Sequence, residues 1–123
     1  MVIGVQDVYY NVQNMARAVA FYRDVLGLII TDEDPHFTGL DAGGVRIGLH
    51  WTGGTAVPHT PRNAHGTHSG GTITFRVDNI VAAQETLATN GINILGYSDN
   101  PWGKIVIFED PDGNVLKLME IPS

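Results

Sequence analysis

Phe108-Glu109-Asp110-Pro111-Asp112-Gly113-Asn114-Val115-Leu116-Lys117-Leu118, near the end of the chain, reads as a tight reversal leading into a strand. Pro111 presets φ at the second position of a turn, Asp110 and Asp112 can satisfy turn amides, and Gly113 supplies the positive φ that lets the chain reverse. In the strand that follows, alternation puts Leu116 and Leu118 on one face and Val115, Lys117 and Met119 on the other. The leucines mark the core side. Lys117 is therefore expected on the open, solvent-reaching face of a sheet.

Moving back from that hairpin, Gly103 to Glu109 reads as a strand, Gly96 to Trp102 as a loop and Ile92 to Leu95 as a strand. Ile80, Ala83 and Leu87 carry the apolar stripe of a helix that Asp78 or Asn79 can cap and Asn90-Gly91 can stop. Gly71 to Val77 reads as the strand before it. The same order occurs in the first half. A strand over Val2 to Val12 precedes an Asn14 cap and a helix whose stripe is Met15, Ala18, Val19, Phe21, Tyr22, Val25 and Leu26. Gly27 stops it, and strands follow at Leu28 to Thr31, His36 to Asp41 and Val45 to Trp51. In the last of these, Val45, Ile47 and Leu49 are expected to point inward and Arg46, Gly48 and His50 outward. Val12 aligns with Val77, Asn14 with Asn79, Met15 with Ile80, Ala18 with Ala83 and Tyr22 with Leu87. The order strand, helix, strand, strand, strand thus appears twice in one α+β domain: module 1 at residues 1–51, a connector at 52–69, and module 2 at 70–123. The connector holds Gly53-Gly54, Pro58, Pro61, His59, His65 and His68, and breaks every periodic pattern.

A length of 123 residues suits one domain with a real core, and 43% hydrophobic with 16% charged content describes an ordinary globular chain. No apolar run reaches membrane-spanning length, and the start shows neither a basic n-region nor an apolar h-region, so a cytoplasmic setting is expected. The absence of cysteine excludes disulfides, a thiolate nucleophile and a Cys-based zinc site. Seven Lys and Arg against thirteen Asp and Glu, a formal charge of −6, argue against nucleic-acid and anionic-membrane partners and leave a cationic ligand admissible.

Asp7-Val8-Tyr9-Tyr10-Asn11-Val12, Ala20-Phe21-Tyr22-Arg23-Asp24-Val25-Leu26-Gly27-Leu28, Phe75-Arg76-Val77-Asp78-Asn79, Pro101-Trp102-Gly103 and Asp110-Pro111-Asp112-Gly113-Asn114, taken in that order, resemble the vicinal oxygen chelate superfamily. That superfamily includes glyoxalase I, extradiol dioxygenases and the bleomycin- and fosfomycin-resistance proteins. The likeness runs over nearly the whole chain and implies paired βαβββ modules forming an open cleft, the glyoxalase/bleomycin resistance fold, with homodimers common. It is specific for a fold and not for a reaction.

In the family's metal enzymes, cleft-facing positions on the first and last strands of each module carry His, Gln or Glu, because a divalent ion takes nitrogen or carboxylate ligands at about 2.0 to 2.3 Å. The resemblance places Asp7, Gly48, Thr72 and Lys117 there. One carboxylate, no imidazole and an ammonium do not make that site, so neither the metal nor any other cofactor is expected. Lys117 and Asp7 are expected to pair across the cleft floor, either as a plug or as an acid/base couple. A displaced ion site using Asp7, His50 and a connector histidine is the alternative, against a reading of these histidines as edge or solvated groups. Tyr9, Trp51 and Trp102, with Arg46, suit the walls of a site for a cationic or aromatic organic ligand, by stacking and cation–π contact. Packing under the connector or in a dimer interface would equally occupy the tryptophans. The leading expectation is a metal-free small-molecule-binding protein, with Asp7, Tyr9, Arg46, His50, Trp51, Thr72, Trp102 and Lys117 as ligand-binding candidates. The alternatives are a lyase, isomerase or dioxygenase with a relocated metal, and a domain that only binds partners.

Overall fold

Asparagine opens both helices. In the computed structural model, which describes every residue from Met1 to Ser123, Asn14 and Asn79 have extended backbones and accept a hydrogen bond at 3.0 Å from the third amide of the helix each precedes, Arg17 N–H and Ala82 N–H. Each bond satisfies an amide with no partner inside the helix, which is worth about 1 kcal/mol. Glycine closes both. Gly27 and Gly91 take φ of +80° and +70°, and the next amide reaches back into the last turn, Leu28 N–H to the Tyr22 carbonyl and Ile92 N–H to the Leu87 carbonyl, both at 3.0 Å.

The elements are β1 (Val8–Val12), α1 (Met15–Val19) continued by a π-helical stretch (Ala20–Val25), β2 (Ile29–Asp32), β3 (Phe37–Ala42), β4 (Val45–Trp51), β5 (Thr74–Arg76), α2 (Ile80–Thr89), β6 (Ile94–Asn100), β7 (Gly103–Glu109) and β8 (Val115–Glu120). They form two four-stranded mixed sheets with one connectivity, β1-β4-β3-β2 and β5-β8-β7-β6. In each, the first strand of the module pairs in parallel with the last, and the remaining pairs are antiparallel. The chain divides into two compact units, Met1–Val57 and Pro58–Ser123. In the first, Val12, Ala18, Val19, Phe21, Tyr22, Leu40, Ile47 and Leu49 are buried on the helix side of the sheet. In the second, Ile80, Leu87, Val106, Phe108, Leu116 and Leu118 are buried. Each large apolar side chain so covered contributes about 1.5–3 kcal/mol, which fixes strand register because a one-residue slip would exchange the faces.

The terminal hairpin forms as its sequence dictates. Asp110, 4% exposed, accepts at Oδ1 from the amides of Asp112 (2.8 Å) and Asn114 (2.9 Å), while Gly113 takes φ +83°. Leu116 and Leu118 are buried and Lys117 lies half-buried on the other face.

Other expectations are corrected. The first strand is confined to Val8–Val12, and Met1, Val2, Ile3 and Val5 are exposed. The strand expected over Gly71 to Val77 shrinks to Thr74–Arg76. Gly96 to Asn100, expected to be loop, extends β6, pairing as far as Asn100 with Gly103 around a two-residue Pro101-Trp102 turn. An edge strand needs no apolar alternation on its wet side, so Ser98, Asp99 and Asn100 conceal it. Val45, expected to point inward, is 53% exposed at the first position of β4, directly after the Gly43-Gly44 turn.

Candidate functional site

Register on the first sheet aligns Tyr9 with Gly48, Gly48 with Gly39, and Gly39 with Asp32, one row across all four strands. Two adjacent glycines leave a trough in that row, and neighbouring side chains fill it. A Cβ on Gly48 would overlap the Phe37 ring at Cζ and stand 2.9 Å from the Tyr9 Cβ. A Cβ on Gly39 would overlap Asp32 Oδ1 and lie 2.7 Å from an Arg46 guanidinium nitrogen.

Arg46 therefore crosses the trough. It donates to Asp7 Oδ2 at 2.9 Å and to Asp32 Oδ2 at 2.7 Å, and its guanidinium carbon lies 5.2 Å from the Phe37 ring centroid. Thr31 O–H donates to Asp32 at 2.8 Å; that bond first, and Arg46 second, hold the Asp32 carboxyl below the usual carboxylate range. Asp7, just before β1, finds its countercharge on Arg46 of the adjacent, parallel-paired strand β4, where the distance is short and the geometry fixed by the sheet. Beside this ionic group Tyr9, Phe37 and His50 form an aromatic cluster, with ring centroids 5.8 to 6.4 Å apart, and His50 Nδ1 lies 3.1 Å from Asn11 Oδ1.

In the second unit Lys117 and Thr72 line a solvent-open depression of about 550 Å³, together with Leu95, Ile107 and Val115 and with Arg62, His65 and His68 from the connector. The connector is built, not merely solvated. Asn63 Oδ1 accepts from the amides of His65 (2.9 Å) and Thr67 (3.0 Å), Asn63 N–H donates to the Thr67 carbonyl (3.0 Å), and Gly66, at φ +77°, donates to the Asn63 carbonyl (2.9 Å). Asp110 to Asn114 repeats that bonding pattern position for position. His68 Nδ1 lies 3.0 Å from the Ser69 carbonyl oxygen and its Nε2 3.3 Å from the Thr72 hydroxyl. Arg62 stands 4.0 Å from Glu109, whose carboxylate also accepts from Asn93 at 2.8 Å.

Of the sequence candidates, Asp7, Tyr9, Arg46 and His50 share one face of the first sheet, and Thr72 and Lys117 share the depression of the second unit. Trp51 alternates onto the helix side, its indole N–H donating to the Gln13 carbonyl at 3.0 Å and its ring 5.7 Å from that of His36. Trp102 stands 59% exposed at the β6–β7 turn. Phe37 escaped the sequence reading, although its parity with Gly39 and Asp41 puts it on the Tyr9 face. His65 gains its position from the Asn63 turn, with Arg62 and His68 just before and after it in the chain.

A divalent ion of the kind the resemblance implies does not suit these residues. Asp7 is neutralised by Arg46, the space above Gly48 holds a phenyl ring, Thr72 is engaged by His68, and Lys117 brings an ammonium. Within neither unit do three or more His, Cys, Asp or Glu side chains converge as an ion site requires.

Two βαβββ modules of identical strand order define an α+β class that carries both enzymes and binding proteins. The chain belongs to the Glyoxalase/Bleomycin resistance protein/Dioxygenase superfamily, whose family profile matches residues 4–118. It is 31% identical over 120 residues to the metallothiol transferase FosB of Staphylococcus haemolyticus, covering 96% of this chain and 84% of that one. It is 28% identical over 120 residues to the uncharacterized protein YetH of Bacillus subtilis, covering 96% and 97%. Among solved structures, a glyoxalase/dioxygenase from Nostoc punctiforme superposes with a TM-score of 0.79 at 22% identity, over 98% of this chain and 92% of that one. The fosfomycin resistance protein FosX of Listeria monocytogenes does so with 0.75 at 13% identity, over 99% and 96%. These last two likenesses concern the fold.

Proposed function

We propose that this chain is a metal-independent small-molecule-binding protein of the superfamily, holding an organic ligand without turning it over, as a sequestering protein does. The observation that carries this reading is the occupied trough of the first sheet. Where the family resemblance seats a metal ligand there is Gly48, and the Phe37 ring with the Tyr9 Cβ fills the space a coordinating side chain would need. The homodimer expected from the resemblance belongs to the same proposal; a light-scattering mass of twice the chain's would support it, and a monomer mass would contradict it.

One finding favours a second reading, a metal-dependent thiol transferase, namely the 31% identity to a protein named metallothiol transferase. Phosphorus NMR of fosfomycin incubated with the protein, a thiol and manganese separates the two. The proposal expects the fosfomycin resonance to persist unchanged over hours, with at most ligand-exchange broadening. A new resonance whose growth scales with protein and metal contradicts it and favours the transferase.

A further inference from the structure

We propose that the depression around Lys117 is a receptor for a small organic monoanion, a carboxylate on a short apolar body. This rests on the small-molecule-binding reading and names the ligand class it would take. The formal charge of the whole chain is −6, but the local balance has the opposite sign. Lys117 takes part in none of the ion pairs of the molecule. Arg62, 4.0 Å from Glu109, is offset by it, leaving close to one net positive charge among the groups that line the space. That sum matches one carboxylate better than a doubly charged group.

The donors are arranged for such a guest. Lys117 rises from the middle of the sheet floor, where β8 is held on both sides, by Ile107 of β7 and Thr74 of β5. Thr72 and His68 line the same space, their hydroxyl and Nε2 3.3 Å apart and the His68 Nδ1–H directed at the Ser69 carbonyl at 3.0 Å, so this pair forms a fixed polar wall beside the ammonium. His65 lies in the turn that Asn63 ties down, which presents its imidazole with little ordering cost. Leu95, Ile107 and Val115 supply apolar wall for the body of the ligand. A lysine ammonium partly removed from water and lacking a carboxylate partner gains more from an arriving anion than a solvated surface lysine does.

Benzoate and its neutral isostere benzamide test this, titrated by NMR into chelator-treated protein so that no metal contributes. Benzoate is expected to bind at least about ten-fold more tightly than benzamide, and Lys117→Met, which keeps the stem and removes the charge, to abolish that preference. Arg62→Gln, at the surface rim, is the second variant and is expected to reduce the preference only about two- to four-fold, since Glu109 already shares its charge. Equal affinity for the two compounds, no saturable benzoate binding, or a preference that survives in a folded Lys117→Met protein overturns the proposal. If Lys117→Met does not fold, a preference unchanged by Arg62→Gln overturns it instead. Failure of the metal-independent reading shows separately, as metal-dependent turnover, and leaves this metal-free comparison intact.

Discussion

At position 48 a methyl group would meet the Phe37 ring on one side and the Tyr9 Cβ on the other, and the central β4 strand leaves little room to yield. Gly48→Ala is expected to destabilise the protein by about 1–3 kcal/mol in urea unfolding, and Phe37→Ala added to it to return part of that loss, a non-additivity that marks direct contact. Two costs that simply add would place the clash elsewhere. Asp32 makes a second residue-level prediction. Its carboxyl is depressed, chiefly by Thr31 and then by Arg46, so its contribution is present above the unfolded-state value and is lost as pH falls through the lower folded-state value. Stability should therefore be level from neutrality to about pH 5 and decline below about pH 4, with Asp32→Asn removing part of the decline. The effect is small, because the side chain is 53% exposed. Lys117 was legible on its face from alternation alone. Arg46 was legible as a face residue only, since its two carboxylate partners come from strands whose pairing no local pattern states.

The two asparagine caps predict matched losses. Asn14→Ala and Asn79→Ala should each cost about 1 kcal/mol, and the double variant should lose close to the sum because each cap serves its own helix. Thermal or urea midpoints read this directly, and an unchanged midpoint for either variant would mean that water satisfies that helix start. These elements were legible because Asn, Gly and the apolar stripe act within a few residues. The polar end of β6 was not, because an edge strand is held by pairing with Gly103–Glu109 and not by its own alternation. The connector held a missed signal of another kind. Asn63-Ala64-His65-Gly66-Thr67 has the turn grammar of Asp110-Pro111-Asp112-Gly113-Asn114, an Asx side chain followed three residues later by glycine, and both fold alike.

For the whole molecule, the doubled strand, helix, strand, strand, strand order visible in the sequence is the doubled sheet order of the structure, and it places the chain in its superfamily. What the residues do together was less legible, because the character of a site depends on which side chains fill the space that glycines leave. No helix is long and apolar enough to cross a membrane. The account turns on the claim that the family's ion has no seat here. Equilibrium dialysis of untagged protein against manganese, zinc and nickel, read by elemental analysis, tests that claim most directly. The account predicts well under one-tenth of an ion per chain, on the order of nonspecific surface binding; retention of about one ion per chain, unchanged by prolonged dialysis against metal-free buffer, would contradict it.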